Sequence, residues 1–459
     1  MKHTTMRKAV IFAVSILTYA NRIIPFFSLC DHVFRRLGLI KVQLFLITGT
    51  IKNTNHSTTI LFIGKEISAC PSANQFIGTE ISAYARANHF ASIIFSQVEK
   101  LVYFGEFLHR QVNPSDFKNA EIVVVEPSIE TTQNLLEQGF MLLPKVSFGL
   151  DLSCSINDLK TRFSRRRMRS IQKIRSLNYS YVICRNNEKN FDFFYYKMYL
   201  PYIRRRFGAG AQPTSYLTSK TFYKKNGGII FVLEENKPIA GILFFMKNET
   251  IYAVGLGVYQ GDENYLKNSA REAALFFLIK WSKTKGLKSL NYGGTVPFFA
   301  NGVFQYKKEW GMFAEEEAHQ LFCALKVVSL NERSVSCLLQ NPFIFLDTNA
   351  MKGLVFVNHR LTQTELQKLF STYAIPKMDS LMVISYYDGK TRETAEADFS
   401  LNFQRMSIVL GKALSTICSS FLKRGFDVDV FGGKTVPQVV YTCADFNSEH
   451  ITLGEFSVN

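Results

Sequence analysis

A lysine pair, two tyrosines, a tryptophan and a glycine pair crowd into one short stretch of this 459-residue chain, GLKSLNYGGTVPFFANGVFQYKKEWG over residues 286–311. Lys307 and Lys308 supply cations, Tyr292, Tyr306 and Trp310 supply aromatic faces, and Gly293-Gly294 lets the backbone turn sharply or approach a ligand closely. Residues 110–318 contain no histidine, which excludes a Ser-His-Asp or Cys-His nucleophile and a histidine metal site within that region. Chemistry there falls to lysine, arginine, tyrosine, carboxylates or backbone groups. Tyr292 and Tyr306 are candidates to orient a substrate or relay a proton, and Arg204 and Arg205 to hold a phosphate or carboxylate. Each also has an ordinary structural reading: a core tyrosine with a satisfied hydroxyl, an exposed basic turn, a surface lysine beside a buried tryptophan.

Those residues need a scaffold, and composition describes it. Apolar residues form 47% of the chain and charged residues 20%, the balance of a folded globular protein, and the length predicts several cores. Fifty-four Lys and Arg against 37 Asp and Glu leave a net charge of +17, which suits a nucleic acid, a phosphorylated cofactor or an anionic membrane. Eight scattered cysteines without a C-x-x-C argue against zinc and for reduced thiols in a cytoplasmic protein. The apolar run 9–20 follows Lys2, Arg7 and Lys8. It is shorter than the roughly 20 residues a membrane span needs, so a packed or membrane-surface helix is expected in preference to a cleaved signal.

Three places repeat one grammar, a helical pattern, then Gly139, Gly286 or Gly425, then an apolar residue opening a strand. Helices feeding strands in this way predict an α/β or mixed sheet. Strands are expected over 42–47, 59–63, 92–95 and 121–125, with a helix over 83–91 and Ser128 capping the helix that ends at Gly139. A capping box at Ser155–Asp158 starts a helix from Ile156. Along it stand Lys160, Arg162, Arg165, Arg166, Arg167, Arg169, Lys173 and Arg175 with no acid between them, either a solvated basic face or a phosphate contact at Arg166 and Arg169. Pro201 should kink the helix over 190–207, and strands follow over 229–234, 238–247 and 250–256. Ser269–Glu272 reads as a second capping box before a buried helix whose N-terminus can hold an anion, and Thr362–Glu365 as a third.

In this order, the basic run RRMRSI (166–171), MYLPY (198–202), Gly228 to Leu233 with KPIAG (237–241), NYGGTVP (291–297) and GVFQYKKEWG (302–311) resemble the acetyltransferase-like domain of FemAB-type proteins in the GNAT superfamily. The resemblance covers about residues 145–315. It implies a GNAT-like mixed sheet flanked by helices, in a tandem pair: an N-terminal helical segment and diverged copy over 1–145, the acyltransferase domain over 146–320, and a small α/β extension over 321–459.

The same resemblance implies transfer of an acyl group from acyl-CoA or aminoacyl-tRNA to an amine of an amino sugar, peptide or polysaccharide precursor of the cell envelope, with no metal. Such chemistry needs a proton removed from the amine, positive charge or N–H donors at the tetrahedral oxygen, and cations or a helix N-terminus for donor phosphates. Lys307 matches the family's terminal lysine, which implies a place beside the reacting carbonyl or the donor. Tyr292 and Tyr306 join it as catalytic candidates. Gly293, Gly294, Asn301, Trp310, Arg204 and Arg205 are expected on the substrate, and Ser269, Arg166 and Arg169 on the donor phosphate. The family's Q/R-x-x-G-x-G/A phosphate loop is replaced by QGDENYLKNS (260–269), which puts CoA in question. The competing expectation is a non-catalytic GNAT-like protein that docks its basic helix on nucleic acid, tRNA included, or peripherally on an anionic membrane.

Overall fold

The computed structural model describes residues 41–65, 83–108, 120–126, 132–208, 211, 213–347, 350–388, 413–414, 416–421, 426–433 and 438–441. Expectations about the apolar run 9–20, Ser128, Gly425 and the last residues lie outside them. The fold is mixed α/β: one large mixed sheet flanked by helices.

Its hub is a strand that is buried at every position except Lys145 and the partly covered Asp151. This is the pattern of a strand covered on both faces. In chain order the strands are β1 (Lys41–Ile51), β2 (Ser57–Lys65), β3 (Phe95–Leu108), β4 (Ile122–Val125), the hub β5 (Met141–Asp151), β6 (Ser180–Cys184), β7 (Gly227–Glu234) and β8 (Lys237–Lys247). They continue as β9 (Thr250–Val258), β10 (Ser289–Thr295), β11 (Phe313–Val327), β12 (Phe343–Asp347), β13 (Ala350–Val357), β14 (Ser380–Asp388), β15 (Phe426–Gly433) and β16 (Gln438–Tyr441). One arm runs from β5 through β10, β9, β8 and β7 to β6, and another from β5 through β12, β13, β14 and β15 to β16. Strand β11 pairs with β5 and β4, β4 pairs with β2, β2 with β1, and β1 with β3. Phe62, Phe90, Phe298, Phe343, Ile384 and Val430 share one core, so the N-terminal strands, the central region and the C-terminal extension meet in it.

Six helices bear on the site: α1 (Ala83–Ile94), α2 (Ile156–Thr161), α3 (Arg165–Ser176), α4 (Leu200–Phe207), α5 (Ala270–Thr284) and α6 (Gly302–Glu309). Helix α5 is apolar nearly all round, from Ala273 to Ile279 and Trp281, and is buried against the sheet as its composition dictates.

Several local expectations need correction. The strand expected over 92–95 is the end of α1, and β3 begins only at Phe95. The basic helix expected to continue from Ile156 is two helices. Ser164 takes an extended conformation and caps α3 by accepting from the Arg167 N–H, while its own N–H donates to the Glu309 carbonyl. The capping box at Ser269 is absent: Ser269 sits at φ 63° with no side-chain cap bond, and Glu272 is drawn to two arginines instead. Tyr306 and Lys307 stand on helix α6, whose N-cap is Asn301, and the next strand is β11. The boxes at Ser155 and Thr362 form as expected. Before Pro201 the helix widens into a π-turn over Phe194–Tyr199, because proline supplies no N–H to the preceding turn.

Candidate active site

Strands β9 and β10 are parallel neighbours over three residues only, with Thr250, Ile251 and Tyr252 opposite Ser289, Leu290 and Asn291. Beyond that point the pairing stops, and a cavity of about 320 Å³ opens beside the carboxyl-terminal halves of both strands. Ala253 to Leu256 of β9 form one wall, Tyr292 and Gly294 of β10 another, and α4, Arg271 of α5 and α6 complete it. Crevices at the carboxyl ends of diverging parallel strands are where α/β sheets bind ligands. The π-turn lies against β9 because Gly257 has no side chain; a Cβ there would fall 2.6 Å from the Met198 carbonyl carbon. That approach brings α4 to the cavity wall.

Lys307 lines this cavity, 3% exposed, with Nζ donating to the carbonyls of Gly293 at 2.7 Å and Gly294 at 2.9 Å. Both carbonyls belong to a bulge, where pairing of β10 with β5 jumps from Asn291 opposite Gly149 to Gly294 opposite Ser147. Gly293 adopts φ 73° in the bulge, and its N–H is held by the Asn291 side chain at 2.8 Å. The glycine pair therefore acts through its carbonyls, which fix the lysine.

Tyr292 and Tyr306 also line the cavity, with ring centres 6.3 Å apart. Burial pushes the Tyr306 hydroxyl up to about 12 and the Tyr292 hydroxyl well above the ordinary tyrosine range. Both keep their protons at neutral pH, so they are able to donate hydrogen bonds and not to act as bases. The Tyr306 hydroxyl is buried and meets no partner in hydrogen-bond geometry, with the Tyr292 hydroxyl and the Trp310 indole beside it.

Beneath Tyr306 runs an ionic network that joins two of the basic residues to two acids. Arg167, 2% exposed, donates from Nε to Glu309 at 2.8 Å and from Nη1 to Glu272 at 2.7 Å. Arg271 donates from Nε to the same Glu272 oxygen at 3.0 Å, and its guanidinium lies 4.3 Å from the Tyr306 ring centre. Burial would raise the Glu272 carboxyl, but Arg271 and Arg167 outweigh it and hold it below the usual range.

The remaining sequence candidates lie elsewhere. Asn301 spends its side-chain oxygen on the N–H groups of Val303 and Phe304, and Trp310 is fully buried against Phe163 with ring centres 5.1 Å apart. Arg204 and Arg205 are exposed on α4, Arg205 with Glu263 at 3.9 Å, and it is the next residue, Arg206, that lines the cavity. Arg166 points its Nη1 at Glu309, 3.4 Å away, and Arg169 is exposed; neither lines the cavity, and neither does Ser269.

Sequence reasoning missed Arg271, Glu272 and Arg206. An Arg-Glu pair inside a helix that is otherwise apolar was the available signal. It also missed a second cavity of about 430 Å³, lined by Arg86 and His89 of α1, Glu126, Lys145 and residues 294–296 of β10. Gly294 lines both cavities. Burial lowers the His89 pKa, and no local sequence signal tied this N-terminal histidine to β10. A larger hollow of about 680 Å³ at the far end of α5 is lined by Lys160, Arg175, Lys280 and Lys283 and by none of the candidate residues.

Among the described residues no helix is long and apolar enough to cross a membrane. No family model matches the chain, and no curated protein matches it. Among solved structures it is similar to FemX, at 12% identity and a TM-score of 0.32 over 60% of this chain and 83% of that one. L-PGS from Bacillus licheniformis aligns at 9% identity and a TM-score of 0.30 over 64% of this chain and 84% of the other. A GCN5-related N-acetyltransferase from Kribbella flavida aligns at 8% identity and a TM-score of 0.21, over 44% and 66%. Likeness at this level carries no argument about chemistry, which rests on the cavity itself.

Proposed function

We propose that the chain is an N-acyltransferase or aminoacyltransferase that joins an acyl group to an amine in the cavity between β9 and β10. The observation that carries this reading is Lys307, a buried ammonium fixed by two backbone carbonyls at a cavity wall. A preorganised charge of this kind stabilises the oxyanion that develops when an amine attacks a carbonyl. In the step, the amine nitrogen bonds to the acyl carbon, and the C–S bond of a thioester or the C–O bond of an ester breaks. The proton lost by the amine leaves on the thiolate or alkoxide. Tyr306, with its unspent hydroxyl, donates to a substrate oxygen. The second cavity, on which Gly294 also borders, offers the other substrate its own approach.

The donor on this reading is an acyl-CoA or an aminoacyl-tRNA, and the acceptor an amine of an amino sugar, peptide or envelope precursor. Mass spectrometry of ligands that co-purify with the chain, followed by transfer assays with each donor class, tests it. Transfer that persists undiminished in Lys307→Met would remove the assignment.

A second reading is favoured by the exposed arginines of α3 and the basic hollow at the end of α5: docking on nucleic acid or an anionic membrane. It requires binding that weakens steeply with salt and with neutralisation of Arg165, Arg166 and Arg169, and no transfer.

A further inference from the structure

The cations nearest the candidate chemistry are not those the sequence marks as basic clusters. The run over 160–175 sends Arg167 inward to two glutamates and leaves most of the rest on the surface. Two other arginines, from different helices, reach the cavity between β9 and β10: Arg206 of α4 and Arg271 of α5. None of the described residues lining that cavity is an aspartate or glutamate.

Each guanidinium is held in place while keeping donors to spare. Arg271 spends Nε and Nη2 on one oxygen of Glu272, and its face rests on the Tyr306 ring. Its Nη1 has no protein partner among the described residues. Arg206 donates from Nη1 to the Tyr202 hydroxyl and stacks on Phe207 with 5.3 Å from Cζ to the ring centre. Anchoring of this kind removes the entropy a long side chain would lose on binding, and guanidinium forks match phosphate oxygens in pairs. Three arginines, Arg166, Arg167 and Arg271, share the two carboxylates of Glu272 and Glu309, so the cluster keeps a net positive charge. The Tyr306 hydroxyl, nine-tenths buried and unpartnered, is a further donor in the same wall.

We propose that Arg206 and Arg271 form a phosphate subsite inside the cavity, so that one substrate of the reaction carries a phosphate or diphosphate group. This rests on the acyl-transfer reading of the cavity. Side chains do here what a glycine-rich loop would do with backbone N–H groups. The connection from β9 to α5 is occupied instead by Gln260 to Ser269, with Ser269 in a left-handed conformation that offers no side-chain cap.

Calorimetric titration of the full chain with inorganic pyrophosphate, inorganic phosphate and acetate tests the subsite without turnover, so its failure is distinct from an absence of transfer. Pyrophosphate should bind at millimolar or lower concentration and raise the melting temperature, phosphate more weakly and acetate least. Arg206→Gln should weaken pyrophosphate at least about tenfold, the equivalent of one charged hydrogen bond, and Arg206→Lys should recover part of the loss. Arg271→Gln should do the same; if that variant fails to fold, the exposed Arg206 decides alone. No pyrophosphate binding to the wild-type chain, binding indifferent to Arg206→Gln, or acetate bound as tightly as pyrophosphate would each overturn the proposal.

Discussion

The Lys307 Nζ stands 2.7 Å from the carbonyl oxygen of Gly293, a residue held at φ 73° within the bulge that presents this carbonyl. The two therefore fail together. A Cβ at Gly293 would meet nothing within 4 Å, so Gly293→Ala strains the backbone alone, at a cost of about 1–2 kcal/mol. Relief of that strain moves the carbonyl and loosens Lys307. Gly293→Ala should lower transfer far more than its modest loss of melting temperature explains, and Lys307→Met should lose transfer outright. A glycine variant with full transfer would show that the bulge does not position the lysine.

Tyr306 separates a binding role from a packing role. Its buried hydroxyl has no partner, and an unsatisfied buried polar group costs about 1–3 kcal/mol. Tyr306→Phe should therefore hold or raise the melting temperature in the absence of substrate. If the hydroxyl donates to substrate, the same variant should lower kcat/KM by about tenfold or more, one charged hydrogen bond at the upper end. Unchanged kinetics with raised stability would make Tyr306 a core residue.

Much of this arrangement was legible in the chain, and the reasons for the rest are physical. Strands β7 to β9 announced themselves because alternating or continuous apolar runs are bounded by Glu235-Asn236 and Asn248-Glu249, turns whose residues 235, 236 and 248 take positive φ. Lys307 is marked in the sequence by the aromatics, glycines and cations clustered around it and by its match to the terminal motif of the family the chain resembles, and it lines the cavity. Arg167 was misread because seven other cations surround it in sequence, while both its acids, Glu272 and Glu309, are more than a hundred residues away. Glu272 was misread for the opposite reason, since its spacing from Ser269 imitates a capping box. Local pattern reports neighbours three or four residues apart and is blind to partners that only the sheet brings together.

Arg167 is the residue whose loss the fold should tolerate least. It is 2% exposed and Glu272 is 5% exposed, and removing one partner of a buried ion pair typically costs 3–5 kcal/mol because the other charge is left stranded. Arg167→Met should lower stability in denaturant titration by about that amount. The exposed Arg165→Met and Arg169→Met should change it by less than about 0.5 kcal/mol. Adding Glu272→Gln to Arg167→Met should not recover the loss, since it takes from the largely buried Arg271 the carboxylate it pairs with. Equal effects at positions 165, 167 and 169 would contradict the internal network.

Lys308 carries a pH dependence whose sign is fixed by its surroundings. Burial lowers its pKa to about 8, and its ammonium donates to the Thr372 carbonyl on the helix over Gln363–Tyr373. Between about pH 8 and the unfolded value of 10.5, the unfolded chain binds this proton and the folded chain does not. Unfolding free energy attributable to Lys308 should thus rise with pH across that window and be flat below it. The raised tyrosine and cysteine pKa values act the opposite way at the alkaline end, so the measurement is a difference between the wild-type chain and Lys308→Met at each pH. A difference that stays constant from pH 7 to pH 10 would mean that Lys308 keeps an ordinary lysine pKa in the folded protein.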